Sequence, residues 1–174
     1  MAGHSKWAQI KRQKGASDAK RAQVFGKMAR MISAQVKVAK GDRDAVAVKS
    51  LIEKARSLDM PLDTIERAIS KATETKDLES ITYEAYGPGG VGIIIQALTD
   101  SRNRAAQDIR HILDKNGCSL GAIGSVMWGF QKENGELIPT ITIPLSESDT
   151  ELLSEVVDEL EALDDVSQII TNAE

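Results

Sequence analysis

Residues 81–98 read Ile-Thr-Tyr-Glu-Ala-Tyr-Gly-Pro-Gly-Gly-Val-Gly-Ile-Ile-Ile-Gln-Ala-Leu. Alternation over 81–86 predicts a half-buried strand, Gly87-Pro88-Gly89-Gly90 predicts a turn, and the mostly apolar stretch over 91–98, which contains Gly92 and Gln96, predicts a buried strand. Downstream, 102–116 has a helical period, with Ala105, Ile109, Ile112 and Leu113 inward and Gly117 closing the helix. Residues 126–131 read as a strand, Asn134-Gly135 as a turn, and 140–145 as another strand. A helix is predicted over 149–163, with Leu152, Leu153, Val156, Leu160 and Leu163 on its apolar side, followed by a last strand over 166–171.

From residue 91 this order is β-α-β-β-α-β, the ferredoxin-like arrangement, preceded by one extra strand. Two helices would cover one face of an antiparallel sheet. Upstream the period is helical throughout. Phe25, Met28, Ile32, Val36 and Ala39 recur at three- and four-residue spacing within 18–40, and Gly41 stops that helix. A second helix fits 44–58, burying Leu51, Ile52, Ala55 and Leu58. A third fits 61–73, with Pro61 in its first turn, capping-box spacing at Asp63 and Glu66, and Leu62, Ile65, Ala68, Ile69 and Ala72 inward. Residues 73–80 read as a polar linker. The expected fold is therefore α+β: an N-terminal three-helix bundle over 1–78, then a ferredoxin-like βαββαβ sandwich with one extra strand over 79–174.

The chain has 174 residues and a net charge of −4, which conceals a strong division. Residues 1–40 carry ten Lys and Arg against Asp18 alone, a net +9; residues 41–80 carry −2; residues 81–174 carry five basic and sixteen acidic groups, a net −11. A basic helical domain precedes an acidic domain, and such polarity points to a polyanionic partner at the basic end. Two other readings of that end stand beside it: a mitochondrial transit segment, disfavoured by Lys outnumbering Arg seven to three, and a solvated helix face that binds nothing. No apolar core follows Lys6, which speaks against a secretory signal. The longest apolar stretch, 91–98, is too short to span a bilayer. The single cysteine, Cys118, rules out an internal disulfide framework and a cysteine-based zinc site.

Enzymatic chemistry finds little support. Gly87-Pro88-Gly89-Gly90-Val91-Gly92 lacks the Lys-Ser/Thr of a phosphate loop and precedes a strand, so a tight hairpin is its role. His4 and His111 have no partner at metal-ligand spacing. Cys118 follows a helix C-terminus, the wrong end for lowering a thiol pKa, and reads as a packing residue. Asp164 and Asp165 sit in an acidic stretch and read as a solvated face. Arg102 and Arg104 open a helix, where phosphate contact and plain surface decoration are both open. The expected protein is not an enzyme and takes no cofactor, metal or small-molecule substrate. The candidate nucleic-acid-binding residues are Lys6, Trp7, Lys11, Arg12, Lys14, Lys20, Arg21, Lys27 and Arg30. Their cations offer phosphate contacts along one segment. Trp7 either stacks on a base or pins the basic arm to the bundle. Nothing here reads a base sequence, so phosphate and shape recognition is expected.

Met1-Ala2-Gly3-His4-Ser5-Lys6-Trp7, followed by Ile10-Lys11, Asp18, Lys20-Arg21 and Phe25, resembles the YebC/PmpR family. Met60-Pro61, Ile65-Glu66-Arg67-Ala68-Ile69, Tyr83 to Val91, Arg102-Asn103-Arg104, Gly124-Ser125-Val126, Leu163-Asp164-Asp165-Val166 and Thr171-Asn172-Ala173-Glu174 extend the likeness along nearly the whole chain. The resemblance implies a helical first domain, a ferredoxin-like second domain and a third domain inserted into the second. That insertion is absent here, replaced near 131–138 by a short Gln-Lys-Glu-Asn-Gly-Glu turn. The family has been described both as DNA-binding transcriptional regulators and as ribosome-associated translation factors that activate translation or relieve stalling. The expected partner is accordingly ribosomal RNA and the ribosome, or alternatively DNA, with no membrane. The expected setting is the bacterial cytoplasm rather than the mitochondrial matrix.

Overall fold

The structure, a computed structural model, describes residues 18–74 and 76–174. The described residues form two compact units that part between Leu78 and Glu79. The first contains α1 (Asp18–Val38), α2 (Val46–Ser57) and α3 (Leu62–Ser70), followed by a 3-10 turn at Ala72–Glu74. Met28, Ile32 and Val36 of α1, Val48 and Ala55 of α2, and Ile65 and Ala68 of α3 make one core with Met60 and Ala72. The hydroxyl of Ser33, buried on the same face of α1, donates to the Ala68 carbonyl at 2.7 Å, so its burial leaves no unmet donor.

The ends of these helices depart from expectation. The left-handed residue that ends α1 is Lys40 (φ 53), followed by Gly41 (φ 87). The Gly41 N–H reaches the Val36 carbonyl at 2.9 Å and the Lys40 N–H reaches Lys37 at 3.1 Å, a Schellman pair. Pro61 is the N-cap of α3, and no capping box forms. Asp63 instead pairs with Arg67 one turn on, at 3.3 Å. Val48, which the periodicity does not mark as core, is fully buried, while Leu58 and Leu62 are exposed.

In the second unit, β1 (Glu79–Tyr86) and β2 (Gly92–Thr99) form an antiparallel hairpin, paired from Glu79 with Thr99 to Tyr86 with Gly92. The Gly87–Gly90 turn needs its glycines. Gly89 has φ 66, and a Cβ there would lie 2.6 Å from a Leu145 methyl. Then follow α4 (Arg102–Lys115), β3 (Ser119–Leu120), β4 (Phe130–Glu133), β5 (Glu136–Pro139), α5 (Glu147–Glu161) and β6 (Val166–Thr171). The main sheet has the order β3-β1-β2-β6, with every neighbouring pair antiparallel.

Strand β2 is buried on both faces over Gly92–Ile95, which accounts for the apolar run there, while Gln96 and Leu98 are half-buried. Ile93, Ile95 and Ala97 pack with Ile109 and Leu113 of α4 and with Leu153, Val156 and Leu160 of α5. Ile94, one residue out of phase, points to the opposite face and meets Val126 and Phe130. The α+β class holds, with two helices covering one face of an antiparallel sheet. Ser101 and Ser146 cap α4 and α5 by accepting the backbone N–H groups of Arg104 and Asp149.

The strands of the second unit sit differently from the expected series. The extra strand β1 is central, between β3 and β2. Residues 126–129 are not extended; Met127–Gly129 is a 3-10 turn, and β4 starts at Phe130. β4 and β5 form their own two-stranded sheet. They are joined by Asn134 (φ 51) and Gly135 (φ 88), both left-handed as a type I′ hairpin turn requires. Residues 140–145 keep only an isolated bridge from Ile143 to Ala173. Pro139 and Pro144 lack the N–H donors a longer ladder would use.

Leu153 is fully buried between α5 and the sheet. Leu153→Ala should cost about 2–5 kcal/mol in a denaturant titration, and an unchanged midpoint would contradict the packing described.

Candidate nucleic-acid interface

Among the candidate binding residues, Lys20, Arg21, Lys27 and Arg30 lie on α1, and Lys6, Trp7, Lys11, Arg12 and Lys14 lie outside the described residues. At 3.6 residues per turn, Lys20, Lys27 and Arg30 fall within a sector of roughly 80° turned away from Met28, Ile32 and Val36. Arg21 falls outside that sector. Lys20 and Arg21 are exposed; Lys27 and Arg30 are half-buried. The helix therefore brings three of its four candidate cations to one face, because the apolar positions have claimed the other. Lys37, farther along, is held at 2.8 Å by Asp77, whose carboxyl is kept below its usual range first by that hydrogen bond and then by the charge of Lys37.

Elsewhere in this unit several cations are matched by carboxylates: Arg43 with Glu66 at 2.6 Å and Lys49 with Asp44 at 3.0 Å, besides Arg67 with Asp63. These pairs are solvent-exposed, so each adds roughly 0–1 kcal/mol to stability. A depression of about 310 Å³ lined by Arg43, Asp44, Lys49, Ile52, Glu53 and Arg56 mixes both signs. Among the described residues, no group of three or more His, Cys, Asp or Glu side chains could hold a metal ion, and no helix is long and apolar enough to cross a membrane.

Arg102 and Arg104 are occupied within the second unit. Arg102 pairs with Glu79, and that hydrogen bond holds the Glu79 carboxyl below its usual range. Arg104 bridges Asp100 at 2.7 Å and Asp165 at 2.9 Å. Asp165 is buried, not a solvated acid; it also accepts the Thr99 hydroxyl at 3.0 Å, and its backbone carbonyl accepts the Leu98 N–H at 2.7 Å. The pair at 164–165 thus has an inner member that ties the start of β6 to the start of α4. Cys118 is buried as expected for a packing residue, and burial pushes its thiol pKa up.

The strongest polar arrangement in the second unit is one that the sequence pattern does not announce. Glu84 on β1 is buried, and its carboxylate accepts three backbone N–H groups: Gly124 at 2.6 Å, Val126 at 2.7 Å and Met127 at 2.7 Å. Burial alone would raise its pKa, but the three hydrogen bonds together outweigh burial and hold the carboxyl below its usual range. The Gly121 N–H adds a bond to the Glu84 backbone carbonyl at 2.8 Å. The Tyr86 hydroxyl and the Trp128 indole N–H both donate to the Ser125 carbonyl at 2.8 Å. Donors that would have built a strand over 126–131 are thereby taken by a side chain. One signal was available: an acid on a strand, out of phase with the core-facing Tyr83 and Ala85.

The described residues thus combine a helical face bearing Lys20, Lys27 and Arg30 in the first unit with a second unit rich in acids, whose 121–129 loop is clamped by Glu84. A family model described as the TACO1/YebC protein N-terminal domain matches residues 5–75, and one described as the TACO1/YebC second and third domain matches 78–135. The chain belongs to this family. A protein of Finegoldia magna named "Probable transcriptional regulatory protein" is 43% identical over 178 residues, covering 100% of this chain and 74% of that relative. One of the same name from Rubrobacter xylanophilus is 47% identical over 144 residues, covering 80% of this chain and 58% of the relative. The chain thus spans only part of its relatives' length. The crystal structure of a conserved hypothetical protein from Aquifex aeolicus matches with a TM-score of 0.81 at 27% identity, covering 98% of this chain and 97% of that one.

Glu84→Gln replaces a triple acceptor with an amide that turns an NH2 group toward backbone N–H donors. It should destabilise the second unit by about 2–3 kcal/mol. Because the folded carboxyl lies below its usual range, its contribution is complete above the ordinary carboxylate pKa and is lost as pH falls through the folded value. Acid titration of stability should accordingly be shallower in the variant; identical acid limbs would contradict the anchoring role.

Proposed function

We propose that this chain is a nucleic-acid-binding regulator of gene expression that grips ribosomal RNA through its basic leading segment and acts on the ribosome in translation. One observation carries the reading: residues 1–40 have a net charge of +9 while residues 81–174 have −11. A polyanion attracts the first and repels the second, so contact is confined to one end. The face of α1 bearing Lys20, Lys27 and Arg30 supports the same polarity, since the opposite face is committed to the core. We take 1–78 as the gripping domain and 79–174 as the acidic domain, the latter closed by the β4–β5 hairpin where the family's insertion would stand.

Ribosomal RNA is preferred over DNA because the candidate set is Lys and Arg with a single aromatic. It lacks an Arg, Asn and Gln array on a helix able to read base edges in a major groove. The second reading, a DNA-binding transcriptional regulator, is favoured by the names of the relatives. Those names describe regulators and not enzymes, and we assign no catalytic step. A bacterial cytoplasmic setting accompanies either reading, in keeping with the bacterial relatives.

Charge reversal at Lys11, Lys14 and Arg21 should weaken binding to ribosomal RNA. It should also flatten the plot of log affinity against log salt by about 0.7–0.9 for each phosphate no longer neutralised. Binding of ribosomes and of mixed-sequence duplex DNA, measured across a salt series, separates the two readings: the translation reading expects ribosomes to be held at salt that releases DNA. A charge-reversed chain that binds both as tightly as the parent would remove the basic segment as the contact surface.

A further inference from the structure

Two Asn-Gly pairs occur in the second unit, Asn116-Gly117 and Asn134-Gly135. They share a sequence and differ in setting. Asn116 closes α4 and is half-buried. Its side-chain amide donates to the Ile112 carbonyl at 2.9 Å and also to the Glu159 carboxylate. The N–H of Gly117 donates to the Asp114 carbonyl at 3.2 Å. Both the carboxamide and the backbone nitrogen that follows it are therefore committed to ending the helix.

Asn134 and Gly135 form the tip of the β4–β5 hairpin. The last rung of that ladder pairs Glu133 with Glu136, so the two tip residues lie beyond it. Both are exposed, and a Cβ built at Gly135 would meet nothing within 4 Å. A glycine nitrogen approaches the preceding side chain with no Cβ of its own in the way. Rotation at an exposed two-residue tip breaks no packed contact, whereas freeing Asn116 breaks three hydrogen bonds at once.

We infer that Asn134 is a site of spontaneous backbone modification, closing with Gly135 to a five-membered succinimide, and that the fold protects Asn116 from the same reaction. The Gly135 nitrogen gives its proton to hydroxide and bonds to Cγ of Asn134. The Cγ–Nδ2 bond breaks, and Nδ2 takes a proton from water and leaves as ammonia. Water then opens the ring at one of its two carbonyl–nitrogen bonds. Cleavage at Cγ leaves aspartate. Cleavage at the main-chain carbonyl carbon leaves isoaspartate, in which the backbone runs through the former side chain. Water is the only co-reactant.

The two products differ in consequence. Each sets a third carboxylate between Glu133 and Glu136. Aspartate keeps the turn, because Asp-Gly suits a type I′ hairpin as Asn-Gly does. Isoaspartate adds one backbone atom to the tip, so the Glu133–Glu136 rung no longer closes in register. Phe130 and Leu137, which pack with Ile94 from the two arms of the hairpin, then lose their alignment. The inference is independent of which polyanion the leading segment takes.

The whole chain is incubated in mildly alkaline water labelled with heavy oxygen, folded and in urea, and its peptides are mapped by mass spectrometry. In the folded chain the peptide holding Asn134 should gain one heavy oxygen at least tenfold faster than the peptide holding Asn116. In urea the two rates should come within a few-fold of each other. Isoaspartate is scored by its acceptance of a methyl group from an isoaspartyl methyltransferase. Amide exchange over 130–139 should speed up in isoaspartyl chains and stay at the parent rate in Asn134→Asp. An Asn134 peptide that stays unlabelled in the folded chain overturns the site, whatever it does in urea. Equal labelling of the two peptides in the folded chain overturns the protection of Asn116, and parental exchange in isoaspartyl chains overturns the loss of register.

Discussion

A carboxylate enclosed beside a sheet is costly unless donors converge on it, and Glu84 meets three. That single interaction organises one side of the second unit. It bends residues 121–129 back over β1, so Val126 and Phe130 reach the face of β2 from which Ile94 projects. β2 can then carry apolar residues on both faces from Ile93 to Ile95, with α4 and α5 against one side and the loop and hairpin against the other. The close approach also explains Gly92, where a Cβ would lie 2.5 Å from a Val126 methyl. The N–H of Gly92 is in turn held by the Asn172 side chain at 2.7 Å. The short β4–β5 hairpin follows directly from the place where the clamped loop releases the chain.

The proposed function rests on a different force. The first unit buries one stripe of each helix and leaves the remaining faces to charge; the second buries a sheet under two helices and carries most of the acids. Among the described residues, no group of three or more His, Cys, Asp or Glu side chains could hold a metal ion. What remains is a chain with ends of opposite sign. In the proposed reading, long-range attraction and repulsion orient the partner before short contacts form.

Much of this was legible in the sequence because much of it is periodic. The core faces of α1 and α4, the double burial of β2, the Gly-rich hairpin turn and the left-handed Asn134-Gly135 pair all follow from spacing and turn chemistry within a few residues. What was not legible depends on partners far away in sequence. Glu84 binds groups some forty positions on, and Arg104 reaches Asp165, so neither the absence of a strand at 126–129 nor the burial of Asp165 is written locally. The helix ends failed for a smaller reason: Lys40 tolerates the left-handed conformation ahead of Gly41, and Asp63 was taken by Arg67. Of the nine candidate binding residues, the spacing that groups Lys20, Lys27 and Arg30 was readable in advance, whereas five others lie outside the described residues.

Protein–RNA crosslinking on ribosomal RNA, with the crosslinked peptides mapped by mass spectrometry, tests the division of charge most directly. The linked residues should cluster within 1–40 and be absent from the acid-rich stretch 146–174. Crosslinks concentrated in 79–174, with the leading segment bare, would contradict it.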